Sequence, residues 1–102
     1  MELDKKIETA QLFLIYQDLL TDKQKKYMEM YLLEDFSLGE IALSENVSRN
    51  AVFDQIKKTI AIINNFEEKL EINKKNIERE EIILKLEENF SKDLLEKLKN
   101  IK

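Results

Sequence analysis

Apolar residues recur every three or four positions along most of this chain, with Glu, Lys, Asp and Asn between them. That is the period of an amphipathic helix and not of a strand. Ile7, Ala10 and Leu14 form one stripe, and Leu12, Ile15, Tyr16 and Leu19 form a second beside it. A helix apolar over so wide an arc needs cover on two sides, either across the middle of a bundle or partly against a partner chain. Val52, Ile56, Ile60, Ile63, Phe66 and Leu70 predict one long helix from Arg49 to about Ile72. The stripe resumes in Ile77, Ile83, Leu86 and Phe90, and Asn73 to Asn76 reads as a break or kink before it.

Helix starts are marked by a side-chain oxygen that accepts from free backbone N–H groups, often with Glu or Gln three residues on reaching back. Thr21 with Gln24 has this pattern and predicts a helix from about 22 to 34. Ser37 with Glu40 repeats it, with Phe36 and Ile41 spaced to close a hydrophobic staple. Ser48 is placed to cap a further helix, and Ser91 another, so helices are expected to start near 38, 49 and 92.

Composition narrows the picture. The chain has 102 residues, no proline and one glycine, so it lacks the usual helix breakers and hairpin formers. An all-α fold follows: a helical bundle containing a helix-turn-helix in residues 1–72, extended by a C-terminal helical tail in residues 73–102. Without cysteine or histidine there is no disulfide framework, no His/Cys zinc site and no imidazole base. No catalytic, metal or cofactor site is expected, and the plentiful carboxylates read as solvated helix surface. Acidic residues interrupt the apolar N-terminal stretch, unlike a signal peptide, so a cytoplasmic protein without membrane insertion is expected.

The central constellation is Phe36 to Lys58. A short helix over 38–45 must turn sharply into a second, and Asn46 is the best non-glycine residue for the left-handed position this needs. Ala42 fits where the two helices cross closely, while Ile41, Val47, Val52 and Ile56 are expected to face inward. Ser48, Arg49, Asn50, Phe53, Asp54 and Lys57 are then left on the outward face of the second helix, where a recognition helix meets a major groove. The candidate nucleic-acid-binding residues are therefore Ser48, Arg49, Asn50, Phe53, Lys57 and Lys58, with Lys23, Lys25 and Lys26 as a neighbouring basic cluster. Asp54 would repel phosphate, and Glu45 sits in a slot that is often apolar. Phe53 on an outward face either stacks on a base or thymine methyl or tucks against the first helix, and burial is the expected outcome. A net charge of −4 also opposes free-standing binding to nucleic acid.

The run Leu19-Leu-Thr-Asp-Lys-Gln-Lys-Lys-Tyr-Met, then Tyr31-Leu, Ser37-Leu-Gly-Glu-Ile-Ala, Asn46-Val-Ser-Arg, Ala51-Val-Phe-Asp and Ile56-Lys resembles the YlxM family of small bacterial helix-turn-helix proteins. The resemblance covers about residues 7 to 72. Its helix-turn-helix is similar in turn to the promoter-reading fourth region of sigma factors. Because members are encoded beside signal recognition particle genes, the resemblance implies an accessory or regulatory role in protein targeting, through the particle's protein, its RNA or both. The alternative is a dimeric transcription regulator that reads a two-fold DNA site. A homodimer is expected in either case, since the apolar surface of the first helix, of Ile63, Phe66 and Leu70, and of the tail exceeds what a small core covers.

Overall fold

The computed structural model describes residues 2–101. Among the described residues there are five α-helices and no strand: α1 Leu3–Tyr16, α2 Asp22–Met28, α3 Leu38–Glu45, α4 Arg49–Leu70 and α5 Ile72–Asn100. A 3-10 turn, Gln17–Leu19, follows α1, and a π turn, Glu29–Leu33, prolongs α2.

The caps lie where the local chemistry places them. Thr21 Oγ1 accepts from the Gln24 N–H at 3.2 Å while Gln24 Oε1 accepts from the Thr21 N–H at 2.9 Å. Ser37 and Glu40 close the same reciprocal box at 3.1 and 3.0 Å. Ser48 Oγ accepts from the Ala51 N–H at 3.0 Å. Each bond satisfies a donor that the first helical turn leaves orphaned.

Asn46 ends α3 in the left-handed conformation, φ 56° and ψ 46°. The Asn46 and Val47 N–H groups both donate back to the Ala42 carbonyl. Two more non-glycine residues adopt positive φ, Asp35 after the π turn and Glu71 after α4. Over Asp35, the Phe36 N–H closes on the Met30 carbonyl at 2.9 Å. These turns end helices in a chain with almost no glycine.

The described chain divides between Glu71 and Ile72 into two units. In the first, Leu12, Phe13 and Tyr16 of α1 join Tyr27, Met28 and Met30, then Ile41 and Ala42 of α3, with Val52, Ile56 and Ile63 of α4, in one buried core. The second apolar stripe of α1 is thus the core stripe, except that Leu19 is exposed, while Ile7 and Leu14 of the first stripe face solvent. Ile63 is fully covered and Phe66 is packed against the core, its ring 5.8 Å from that of Tyr16. These two residues therefore need no second chain, contrary to expectation. Val47 also departs from its inward assignment and is 38% exposed, because the left-handed turn at Asn46 carries the chain outward before Ser48 re-enters helix.

The second unit is α5, one uninterrupted helix of 29 residues, none of them buried. Ser91 does not start a helix, because nothing stops the one it lies in: a cap requires an end to cap, and Glu87 to Phe90 are all compatible with helix. Asn73 to Asn76 is likewise helical, and the break falls earlier, at left-handed Glu71. Among the described residues no helix is long and apolar enough to cross a membrane.

Candidate nucleic-acid interface

Burial divides α4 into two faces. Val52, Ile56, Thr59 and Ile63 face the core, and Thr59 Oγ1 donates to the Gln55 carbonyl at 2.8 Å, so its hydroxyl is not stranded there. Ser48, Arg49, Asn50, Phe53, Asp54, Lys57 and Lys58 are all exposed. Four-residue spacing lines up Arg49, Phe53 and Lys57 along one side, since residues i and i+4 are neighbours on a helix surface. Among the described residues, Arg49, Lys57 and Lys58 pair with no carboxylate.

The lysines of α2 behave differently. Lys26 Nζ lies 2.9 Å from Glu45 Oε1, bridging α2 to the end of α3 beside the helix-turn-helix junction. This short contact and the carboxylate's charge hold the Lys26 ammonium above the usual lysine value. This is why a mostly buried acid is tolerated at Glu45, in a slot suited to an apolar residue. Lys25 approaches Asp18 at 3.6 Å, and Lys23 lies 5.8 Å from the centre of the Tyr27 ring. The structure therefore brings Lys26 to the junction with its charge already answered, and does not gather the three lysines into one free cluster.

Phe53 corrects the expectation that it tucks against the first helix. It is 49% exposed and forms one wall of a groove of about 400 Å³, lined also by Tyr31, Leu38, Ile56, Lys57 and Ile60. Tyr31 stands in the π turn, and Lys6 Nζ sits 4.7 Å from its ring centre. Lys6 is fixed in turn by Asp35 at 2.7 Å, which holds the Asp35 carboxyl below its ordinary value through their hydrogen bond and opposite charge. Sequence reasoning missed Tyr31, Leu38 and Lys6 as neighbours of this face. Helical period gives no warning of a π turn, whose wider winding decides where Tyr31 points.

Among the described residues no group of three or more acidic side chains gathers as a metal site. What the face offers chemically is unpaired cations, an amide at Asn50 that can both donate and accept, and an exposed ring beside an apolar groove.

A family described as "Putative helix-turn-helix protein, YlxM / p13 like" matches residues 3–101. The UPF0122 protein YlxM of Bacillus subtilis is 53% identical over 88 residues, covering 86% of this chain and 80% of its own. A UPF0122 protein of Halalkalibacterium halodurans is 51% identical over 90 residues, covering 88% and 83%. One from Fusobacterium nucleatum is 45% identical over 100 residues, covering 96% and 95%. The likeness in these relatives thus extends into α5, well beyond the 7 to 72 that the motifs covered.

Proposed function

The chain belongs to the YlxM / p13-like helix-turn-helix family, and from that membership we propose that it is a non-enzymatic binding module whose α4 engages nucleic acid. Within that role it serves as an accessory or regulatory protein of the signal recognition particle pathway, through the particle's RNA, its protein, or both.

The observation that carries the nucleic-acid reading is that Arg49, Lys57 and Lys58, all exposed on α4, pair with no carboxylate among the described residues, with Asn50 and Phe53 exposed beside Arg49 and Lys57. Cations that already hold carboxylates gain little from phosphate, whereas free ones release counterions on binding. The acidic balance of the whole chain favours a ribonucleoprotein target over naked duplex, because a protein surface supplies part of the affinity. The targeting role rests on the family resemblance.

The test is binding of the purified protein to signal recognition particle RNA, to the particle's protein and to duplex DNA, each at several salt concentrations. The reading expects the RNA or the protein to bind more tightly than duplex of equal length, and a protein that binds none of them refutes it. The second reading, a dimeric DNA-reading regulator, is favoured by Asn50, whose amide suits an adenine edge at the start of a recognition helix. Preference for one two-fold duplex over scrambled DNA would select it. Either role is compatible with a homodimer, which the uncovered Ile7 and Leu14 of α1 and the uncovered stripe of α5 support.

A further inference from the structure

We propose that the groove beside α4 is a nucleobase pocket: Phe53 and Tyr31 hold one unpaired base of a nucleic-acid strand, while Arg49 and Lys57 hold the phosphates on either side. The proposal rests on the nucleic-acid reading above and narrows it to strands that present an unstacked base.

Three observations converge. The first is the order of side chains along α4. Arg49, Phe53 and Lys57 stand four residues apart, about 6 Å of rise per step, so a half-exposed ring sits between two cations on one line. A strand whose phosphates follow the cations crosses that ring and can lay a base on it.

The second is the shape and lining of the groove. At about 400 Å³ it is roomy enough for a base, its walls are the apolar Leu38, Ile56 and Ile60 with two aromatic rings, and Lys57 supplies charge at its edge. Lys6 stands over the Tyr31 ring and is itself paired with Asp35, which favours one placement of that wall of the groove. Aromatic faces of this kind take any base by stacking.

The third is what the site disfavours. In a duplex, the bases are stacked on each other and paired, so none is free to enter a groove between rings. An unpaired base in a loop, bulge or single strand has its faces available. An apolar occupant with no anionic group would leave the unpaired Lys57 at the groove's edge unanswered. A base with its phosphates satisfies the rings and the cations together.

The experiment uses the full chain and an oligonucleotide of about twelve nucleotides, made as RNA and as DNA, each single-stranded and annealed to its complement. A 2-aminopurine in the strand reports stacking. Binding is measured for the parent, Phe53→Ala and Phe53→Tyr, with circular dichroism confirming that each is folded. The parent should bind strands more tightly than duplexes and quench the 2-aminopurine. Phe53→Ala should weaken strand binding about 5- to 150-fold and abolish the quenching, with duplex binding and the salt slope unchanged. Phe53→Tyr, which keeps an aromatic face, should restore both. The RNA and DNA arms show which strand is preferred.

Nucleic acid bound equally by parent and Phe53→Ala overturns the pocket and leaves the proposed function standing. Failure of every nucleic acid to bind overturns the pocket and the nucleic-acid reading together. A parent dimer that becomes monomeric in Phe53→Ala assigns the groove to a second copy of the chain and also overturns the proposal.

Discussion

The Tyr16 hydroxyl donates to Glu67 Oε1 at 2.6 Å, joining α1 to α4 across 51 residues of sequence. Tyr16 is almost wholly buried, so water competes poorly for its hydroxyl. Hydrogen bonds to charged acceptors contribute about 1.5–3 kcal/mol, more than neutral ones. Tyr16→Phe keeps the ring against Phe66 and removes the donor, and should lower stability by about 1–3 kcal/mol in urea unfolding. An unchanged midpoint would show that Glu67 finds an equal partner in water.

The free cations of α4 and the answered cation of α2 predict different salt behaviour. With a nucleic acid that the parent binds, Arg49→Ala together with Lys57→Ala should weaken binding and reduce the salt slope by about one unit for each phosphate no longer neutralised. Stability should hardly move, since neither side chain is in the core. Lys26→Ala should change the slope least and lower the melting temperature instead, because it leaves the mostly buried Glu45 carboxylate without its counter-charge. Equal slopes for all three proteins would mean that the phosphates lie elsewhere.

At Asp35 the sign of the pH effect is fixed by the direction of its shift. Its carboxyl titrates below the ordinary 3.8 because Lys6 favours the charged form. The stabilisation is therefore complete above 3.8 and fades as pH falls through the lower folded value. Asp35→Asn retains a residue that tolerates positive φ but loses the charge. Its melting temperature should sit slightly below the parent's at neutral pH, and the gap should close in acid and shrink at high salt, as befits an exposed pair. A gap that persists well below 3.8 would trace the effect to the turn and not to the ion pair.

The apolar stripe of α5 makes the homodimer testable. Ile83, Leu86, Phe90 and Leu94 follow one another at three- and four-residue steps and all are exposed. By light scattering at tens of micromolar, the full chain should be a dimer and a chain ending at Glu71 a monomer. A monomeric full chain would sink the dimer; a dimeric short one would move its interface to α1.

How much of this was legible in the sequence depended on how far apart the deciding groups lie. Capping at Thr21, Ser37 and Ser48 and the left-handed Asn46 are settled within four residues, and each is where the side-chain chemistry puts it. Asp35 could have been found the same way, as an Asp between a helix end and the Ser37 cap. Glu71 could not, since glutamate has no special tolerance for positive φ and nothing local marks it as the end of α4. Ser91 shows the converse error, a start signal that has no meaning without a stop before it. For the candidate site, the outward side of α4 was readable from period alone. The groove was not: it needs Tyr31 from the π turn to stand beside Phe53, and the pairing of Lys26 with Glu45 is equally a meeting of distant segments.

The turn at Asn46 also bears on the order in which the molecule assembles. It joins α3 to α4 through three residues, so bringing those helices together closes almost no loop and forfeits little chain entropy. The return of α1 over α4, which the Tyr16–Glu67 bond completes, must close about fifty residues and is correspondingly slower to nucleate. The helix-turn-helix is therefore the early-forming part of the fold and α1 the late clasp upon it. In stopped-flow kinetics, a change in the turn such as Asn46→Ala should slow refolding, whereas Tyr16→Phe should chiefly hasten unfolding. The opposite partition would place the clasp in the folding nucleus.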